Sequence, residues 1–163
     1  MGSPPFDAMT SGRESLLKEW NASRAELDAA FAGLTPEALE EPGMTGTWSG
    51  RLTLIHIARW DETTTAMILR HHVGLLPGEN EFDDYEAWNL VWADIDVDIP
   101  LESAWQRYHS AHEAIMRTMR HLPDESWDAY ARGWLREASI NHYRHHAETT
   151  RKWREQRGQG SVG

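Results

Sequence analysis

The sequence predicts an all-α fold: a four-helix bundle with a long connection, carrying a short helix, between the second and third helices. Two observations favour this fold. Four segments repeat apolar residues at intervals of three and four, which is the spacing of one helix face. No stretch of the chain alternates apolar and polar residues convincingly, as a half-buried strand does. Amphipathic helices of about 20 residues with such stripes pack as a bundle.

The first half of the chain contains two of these segments and a short helical turn. The stripe of the first helix consists of Leu16, Trp20, Ser23, Leu27, Phe31 and Leu34. Gly33 signals its end, and Thr35-Pro36-Glu37 then opens a short turn of helix. The second helix spans about 50 to 72. Its stripe consists of Leu52, His56, Trp60, Thr63 and Met67.

The second half begins with a loop of glycine, proline and acids, followed by the short helix YEAWNLVWAD. The stripe of the third long helix consists of Leu101, Trp105, Tyr108, His112, Ile115, Met119 and Leu122. That of the fourth consists of Leu135, Ala138, His142, His146, Thr149 and Trp153. We expect one domain over residues 11–157, a disordered lead-in over 1–10 and a disordered tail over 158–163.

Composition excludes several classes of function. A formal charge of −10 without a basic stripe argues against nucleic-acid binding. The absence of cysteine excludes disulfides and thiolate metal sites. No apolar run approaches the length of a membrane span, and the start does not read as a signal peptide. We therefore expect a cytoplasmic protein that binds a small molecule and neither a membrane nor nucleic acid.

The stretch INHYRHHAETTRKW, residues 140–153, places His142 and His146 one helical turn apart on a stripe that faces the bundle interior. Such a pair can hold one ion, or it can consist of surface or hydrogen-bonded histidines. His56 lies on the inward stripe of the second helix, so three imidazoles converge if the two helices are neighbours. Three nitrogen ligands with open positions suit zinc, and nickel nearly as well. Asp61 lies too far round its helix to join them and is a candidate acceptor behind the ligands.

His112 and the aromatic residues each have two interpretations. His112 is either a core histidine bonded to a tyrosine or a carbonyl, or an acid/base close to the ion. Nine tryptophans in so short a chain indicate an aromatic pocket, although helix interfaces also bury tryptophan. The candidate substrate-binding residues are Trp60, Trp88, Trp92, Trp105 and Tyr108. Surface positions are expected for His71, His72, His109 and His121, and a position on the rim for His145.

Two motifs carry a resemblance to a known family. TWSGRLTLIHIARWDE (47–62) and INHYRHHAETTRKW resemble the DinB/YfiT-like superfamily of four-helix bundles over about residues 11–156. There a Trp-Ser turn leads into a helix with the first metal histidine, and an H-x-x-x-H on the last helix supplies two more. The resemblance implies His56, His142 and His146 as ligands. It also favours a homodimer, because dimers are common among such bundles.

Within that superfamily the motifs look closest to the branch of colibactin self-resistance proteins, the ClbS/DfsB group. This chain departs from the branch pattern by carrying Arg51-Leu52 where the branch has Lys-Asp. The branch is linked to hydrolytic opening of an electrophilic cyclopropane without a clear need for metal. Other branches are metal-dependent enzymes that use low-molecular-weight thiols such as mycothiol or bacillithiol.

Three functions follow as hypotheses. The first is a metal-dependent enzyme that attacks a small electrophile by hydrolysis or thiol addition, as in detoxification or self-resistance. The second is a binding protein that sequesters an aromatic drug or toxin without turnover. The third is a structural or oligomerisation module. The acidic sequence shows no clear cationic pocket for an anionic thiol, although Arg59 and Arg144 could contribute to one, so hydrolysis is favoured.

Overall fold

A computed structural model describes residues 6–75 and 81–160 of the chain, with side chains from 12 to 75 and from 81 to 158. Within these residues the fold is all-α, as predicted, and the one β-type contact is the isolated bridge between Thr45 and Trp48. The helices are α1 (Phe6–Phe31), α2 (Pro36–Glu40), α3 (Gly50–His72), α4 (Tyr85–Ile95), α5 (Leu101–His121), α6 (Ala129–Leu135) and α7 (His142–Gly160). A π-helix, Arg136–Asn141, joins α6 to α7, and a short 3-10 helix, Asp124–Ser126, precedes α6.

Most helix boundaries agree with the sequence. The second long helix and the short connecting helix lie where they were expected, and Thr35 caps α2 by accepting a hydrogen bond from the Ala38 amide. The described helices extend past the predicted domain limits, because α1 includes residues 6–10 and α7 continues to 160. Pro4 and Pro5 are the last helix breakers before α1, which explains its early start. The rest of the predicted lead-in and tail, 1–5 and 161–163, lies outside the described residues.

The long helices pack mainly in two pairs, α1 against α7 and α3 against α5. The π-helix contacts both α1 and α3, and α4 lies against α3. Fully buried side chains of the core include Trp20, Leu54, Ile115 and Tyr143, one from each long helix. No helix among the described residues is long and apolar enough to cross a membrane.

The π-helix changes which residues of the last helix face the core. The sequence stripe places Ala138 and His142 inside, but the structure buries Ser139 and Tyr143 completely and leaves Ala138 and His142 partly buried. A π-turn holds more residues than an α-turn, so it rotates the side chains that follow it. His142 therefore lies at the edge of the core, where it can face a cavity.

A buried polar cluster joins all four long helices beneath this edge. The carboxylate of Asp61 on α3 accepts hydrogen bonds from the hydroxyls of Ser139, at 2.8 Å, and Tyr143, at 2.5 Å. Arg24 of α1 lies 3.9 Å from that carboxylate and packs over the Tyr108 ring of α5 at 3.6 Å. Buried polar groups are costly unless they are paired, so these contacts fix how the helices meet.

The loop before α3 places the ring of Trp48 next to His56, which lies on the inward stripe of α3. Gly46 adopts φ 58°, a conformation that glycine tolerates best, in the turn closed by the Trp48 amide and the Thr45 carbonyl. Ser49 then caps α3 by accepting from the Leu52 amide. A Cβ on Gly50 would lie 2.6 Å from Leu39 Cδ2 and 2.8 Å from Met44 Cε, so a larger residue at the helix start would displace both side chains.

Candidate metal centre and its cavity

Three histidines from α3 and α7 converge as the sequence predicted. Nε2 of His142 lies 2.9 Å from Nε2 of His56 and 2.9 Å from Nε2 of His146. The candidate ligand atoms of the three residues all lie within 4.8 Å of one another. The rings meet edge to face, with centroids 4.5 to 5.0 Å apart. This buried group could hold a metal ion.

Hydrogen bonding among the rings cannot satisfy all three nitrogens. Nε2 of His142 carries either one proton or one lone pair, so it can pair with only one of its two neighbours. The other contact then brings two nitrogens together without a proton between them. A single cation would satisfy all three lone pairs, and nitrogens sharing one ion at about 2.05 Å lie roughly 2.9 to 3.4 Å apart. The two separations of 2.9 Å from Nε2 of His142 fall at the lower end of this range.

The electrostatic environment keeps these imidazoles neutral. Burial, and then the charge of nearby His145, lower the pKa of His56 to about 4. Burial, and then the charges of the neighbouring histidines, hold the pKa of His142 and His146 well below the usual range. Neutral imidazole is the form that binds metal, so the site has free lone pairs at neutral pH.

A chain of hydroxyls orients His146 from behind. Its Nδ1 lies 3.5 Å from the hydroxyl of Thr45, which is 3.0 Å from that of Thr53. Thr53 also donates to the Ser49 carbonyl at 2.9 Å, and a carbonyl can only accept. If Thr45 donates to Thr53, it accepts from Nδ1–H of His146. That tautomer leaves Nε2 unprotonated and directed at the other histidines.

Asp61 is held within the core and contacts none of the three histidines. Its hydrogen bonds to Ser139 and Tyr143 fasten the π-helix and the first turn of α7, on both sides of His142. Burial raises the pKa of Asp61 to about 6, although both hydroxyls and Arg24 act to lower it. The expectation that Asp61 accepts a hydrogen bond from a ligand histidine is therefore wrong, because its carboxylate is occupied by Ser139 and Tyr143.

The histidines lie at the base of a cavity of about 1030 Å³, enough for a drug-sized molecule. One wall is formed by α4 and the turn before it, and the opposite wall by α6 and the π-helix. Its aromatic lining residues are Trp48, Trp60, Phe82, Tyr85, Tyr130 and Trp134. His145 is exposed and also lines the cavity, as expected for a residue on the rim.

The predicted tryptophans differ in their relation to this cavity. Trp60 lines it and donates through Nε1 to the side-chain oxygen of Asn89 at 2.9 Å, which ties α3 to α4. Trp92 packs edge to face against Trp60 at 5.2 Å, yet it lies behind the wall, beside a much smaller void. Trp88 packs against Phe82 and Trp92 without lining the cavity.

Trp105, Tyr108 and His112 on α5 lie away from the cavity, and none of them lines it. Trp105 packs edge to face against Phe31, which matches the interpretation of these aromatics as interface residues. Nδ1 of His112 lies 3.1 Å from the Tyr143 hydroxyl, as in the alternative of a core histidine bonded to a tyrosine. Burial, and then Arg24, lower the pKa of His112 to about 4.

Most aromatic residues of the cavity wall were not predicted from the sequence. Trp48, Phe82, Tyr130 and Trp134 line the cavity but were not selected as candidates. Trp48 had a signal, because it precedes the cap of the helix that carries His56, and its ring lies 5.0 Å from that histidine. The others lie in a loop or a short helix, where no long periodicity marks the inward side.

Charge is scarce on the cavity surface. Among the described residues that line it, Glu137 is the one aspartate, glutamate, lysine or arginine. The two arginines considered for an anionic thiol are engaged elsewhere. Arg59 forms two hydrogen bonds to Asp96, and Arg144 pairs with Glu19.

Comparison of the chain with protein families, with curated proteins and with solved structures finds no significant match.

Proposed function

We propose that the protein is a metal-dependent enzyme that acts on a small electrophilic molecule in the aromatic cavity. The observation that carries the proposal is the convergence of three neutral imidazoles at the cavity base, where Nε2 of His142 lies 2.9 Å from Nε2 of both His56 and His146. The same residues, His56, His142 and His146, are the ligands implied by the resemblance to the DinB/YfiT-like superfamily. Three nitrogen ligands with room for a further ligand are typical of a catalytic metal centre.

Zinc and nickel are the ions that suit this donor set best, since all three donors are imidazoles. A divalent ion held by His56, His142 and His146 would supply Lewis acidity, which makes water or a thiol a better nucleophile at neutral pH. The chain itself positions the substrate between aromatic walls and excludes bulk water from the buried side.

Hydrolysis is favoured over addition of an anionic thiol. Mycothiol-like and bacillithiol-like cofactors carry carboxylate or other polar groups that require cationic or hydrogen-bonding partners. No lysine or arginine is found among the described residues that line the cavity. A low-molecular-weight thiol therefore has no evident anchor here, whereas water needs none.

The test is turnover of a panel of neutral aryl epoxides and aryl esters by metal-stripped protein, with and without one equivalent of Zn²⁺ or Ni²⁺. We expect many turnovers per protein only when an ion is present, and none in the His56→Ala variant. Parallel reactions with glutathione separate thiol addition from hydrolysis by the mass of the product. Equal turnover rates with and without an ion would contradict the proposal.

The alternative is a binding protein that sequesters an aromatic molecule without turnover. The size and aromatic lining of the cavity favour this second function independently of any ion. A binder saturates at one equivalent and leaves the ligand chemically unchanged. The same assays decide between the two functions, because the enzyme keeps consuming its substrate.

A further inference from the structure

We propose that the cavity selects a planar aromatic molecule that is uncharged or positively charged, and that it disfavours anions. The inference deepens the proposed function by naming the chemical class of the substrate or ligand. The reaction itself still rests on the proposed function. The selection of the ligand does not, because it depends on the cavity walls and not on a bound ion.

The walls are built to hold flat ring systems. The Phe82 ring packs edge to face against Trp60, with centroids 6.0 Å apart, and against Trp134, with centroids 5.8 Å apart, so the three rings form one continuous aromatic surface. Tyr130 and Trp48 extend the aromatic surface towards α6 and towards the histidines. Rings stack on such faces with centroids about 4.5 to 7 Å apart, and the same faces attract cations.

The charge at the cavity favours cations over anions. Glu137 lies in the π-helix about one turn before His142, and it is solvent-exposed, so its carboxylate lies at the cavity mouth. Asn141 donates to this carboxylate at 3.1 Å without neutralising it. The whole chain has a formal charge of −10, which further raises the local concentration of cations over anions.

These features orient the occupant. Its ring system lies between the aromatic walls, and any positive group points to the mouth, near Glu137. The opposite end then reaches the three histidines at the base. An anionic group at the mouth would face a carboxylate with no lysine or arginine among the described lining residues to offset the repulsion.

The test uses three naphthalene probes of matched size: 2-naphthylmethylammonium, 2-naphthalenemethanol and 2-naphthoate. Each is titrated calorimetrically into chelator-stripped protein, because a bound divalent ion would itself attract the anion. We expect the cation to bind at least about tenfold more tightly than the anion, with the alcohol between them. Equal or tighter binding of 2-naphthoate, or no binding of any probe up to millimolar concentration, would overturn the proposal.

Two matched variants locate the source of the selection. Glu137→Gln removes the charge at the mouth and retains an oxygen that Asn141 can bond. Glu113→Gln removes the same charge from an exposed position on α5 that does not line the cavity. The cation-to-anion affinity ratio should fall several-fold in the first variant and stay unchanged in the second. An equal change in both would mean that only net charge matters and would remove the assigned role of Glu137.

These experiments distinguish a failure of the predicted ligand selection from a failure of the proposed metal-dependent function. The selection must hold in the absence of any ion and in His56→Ala, which lacks one candidate ligand. If the probes follow the predicted order but no divalent ion binds, the cavity assignment stands and the metal-dependent enzyme fails. If an ion binds but the order is reversed, the substrate class fails and the metal centre stands.

Discussion

The Tyr143 hydroxyl donates a hydrogen bond to the carboxylate of Asp61 at 2.5 Å, although 82 residues separate them in the chain. Both side chains are completely buried. The contact fastens the start of α7 to α3 directly beneath His142 and so couples the core of the bundle to the candidate metal centre. The following predictions test this coupling, the centre and the core.

The first prediction concerns the pH dependence of stability in wild type and Asp61→Asn. The folded-state pKa of Asp61, about 6, is above the value of 3.8 expected without burial. As pH rises from 4 to 6, the carboxyl group of Asp61 loses its proton in the unfolded chain. In the folded chain most of this ionisation occurs at higher pH. The free energy of unfolding of the wild type should therefore fall relative to the variant by on the order of 2 kcal/mol.

Chemical denaturation at several pH values measures this difference, and the comparison with the variant cancels the titration of other groups. Above about pH 7 the difference should level off, because Asp61 is then ionised in both states. A wild type that instead gains stability relative to Asp61→Asn between pH 4 and 6 would show that the buried carboxylate is stabilised as the anion.

The second prediction concerns the hydroxyl behind His146. Thr45→Val removes the group 3.5 Å from Nδ1 and keeps the shape of the side chain. Divalent-ion affinity should fall by about tenfold, since such outer partners fix the tautomer and the orientation of a ligand. Thr47→Val is the control, because Thr47 lines the same cavity but is exposed and forms no hydrogen bond to the histidines. Equal divalent-ion affinities in the two variants would show that the Thr45 hydroxyl does not orient His146.

The third prediction concerns the core. Ile115→Ala on α5 should lower the free energy of unfolding by about 2 to 5 kcal/mol, since Ile115 is 0% exposed and leaves a cavity. Ile95→Ala on α4, where the side chain is 63% exposed, should change it by no more than about 0.5 kcal/mol. Similar losses in both variants, measured by urea unfolding, would contradict the described packing.

The long helices and the histidine triad could be predicted from the sequence because each depends on a local pattern. Stripes at three and four residues define helix faces, and they placed His56 and His146 on inward sides that the structure also buries. The convergence of the three histidines needed one further assumption, that the second and fourth long helices are neighbours. The contact of α3 with the π-helix that leads into α7 satisfies it.

The cavity could not be predicted in the same way. The π-helix depends on tertiary partners such as the bond between Ser139 and Asp61, and no local pattern signals it. A stripe also shows that a residue faces inward without showing what it faces. Trp105 and Tyr108 are therefore inward residues that pack in the bundle, while Tyr130 and Trp134 of a short helix line the cavity.

The central claim is tested most directly by calorimetric titration of Zn²⁺ and Ni²⁺ into metal-stripped, tag-free protein and three histidine variants. His56→Ala and His146→Ala should each lower the affinity by about tenfold or more, since each removes one of three ligands. His145→Ala should change it little, because that exposed ring lies on the rim. Equal affinities in all three variants would contradict the account and leave the histidines as pocket residues.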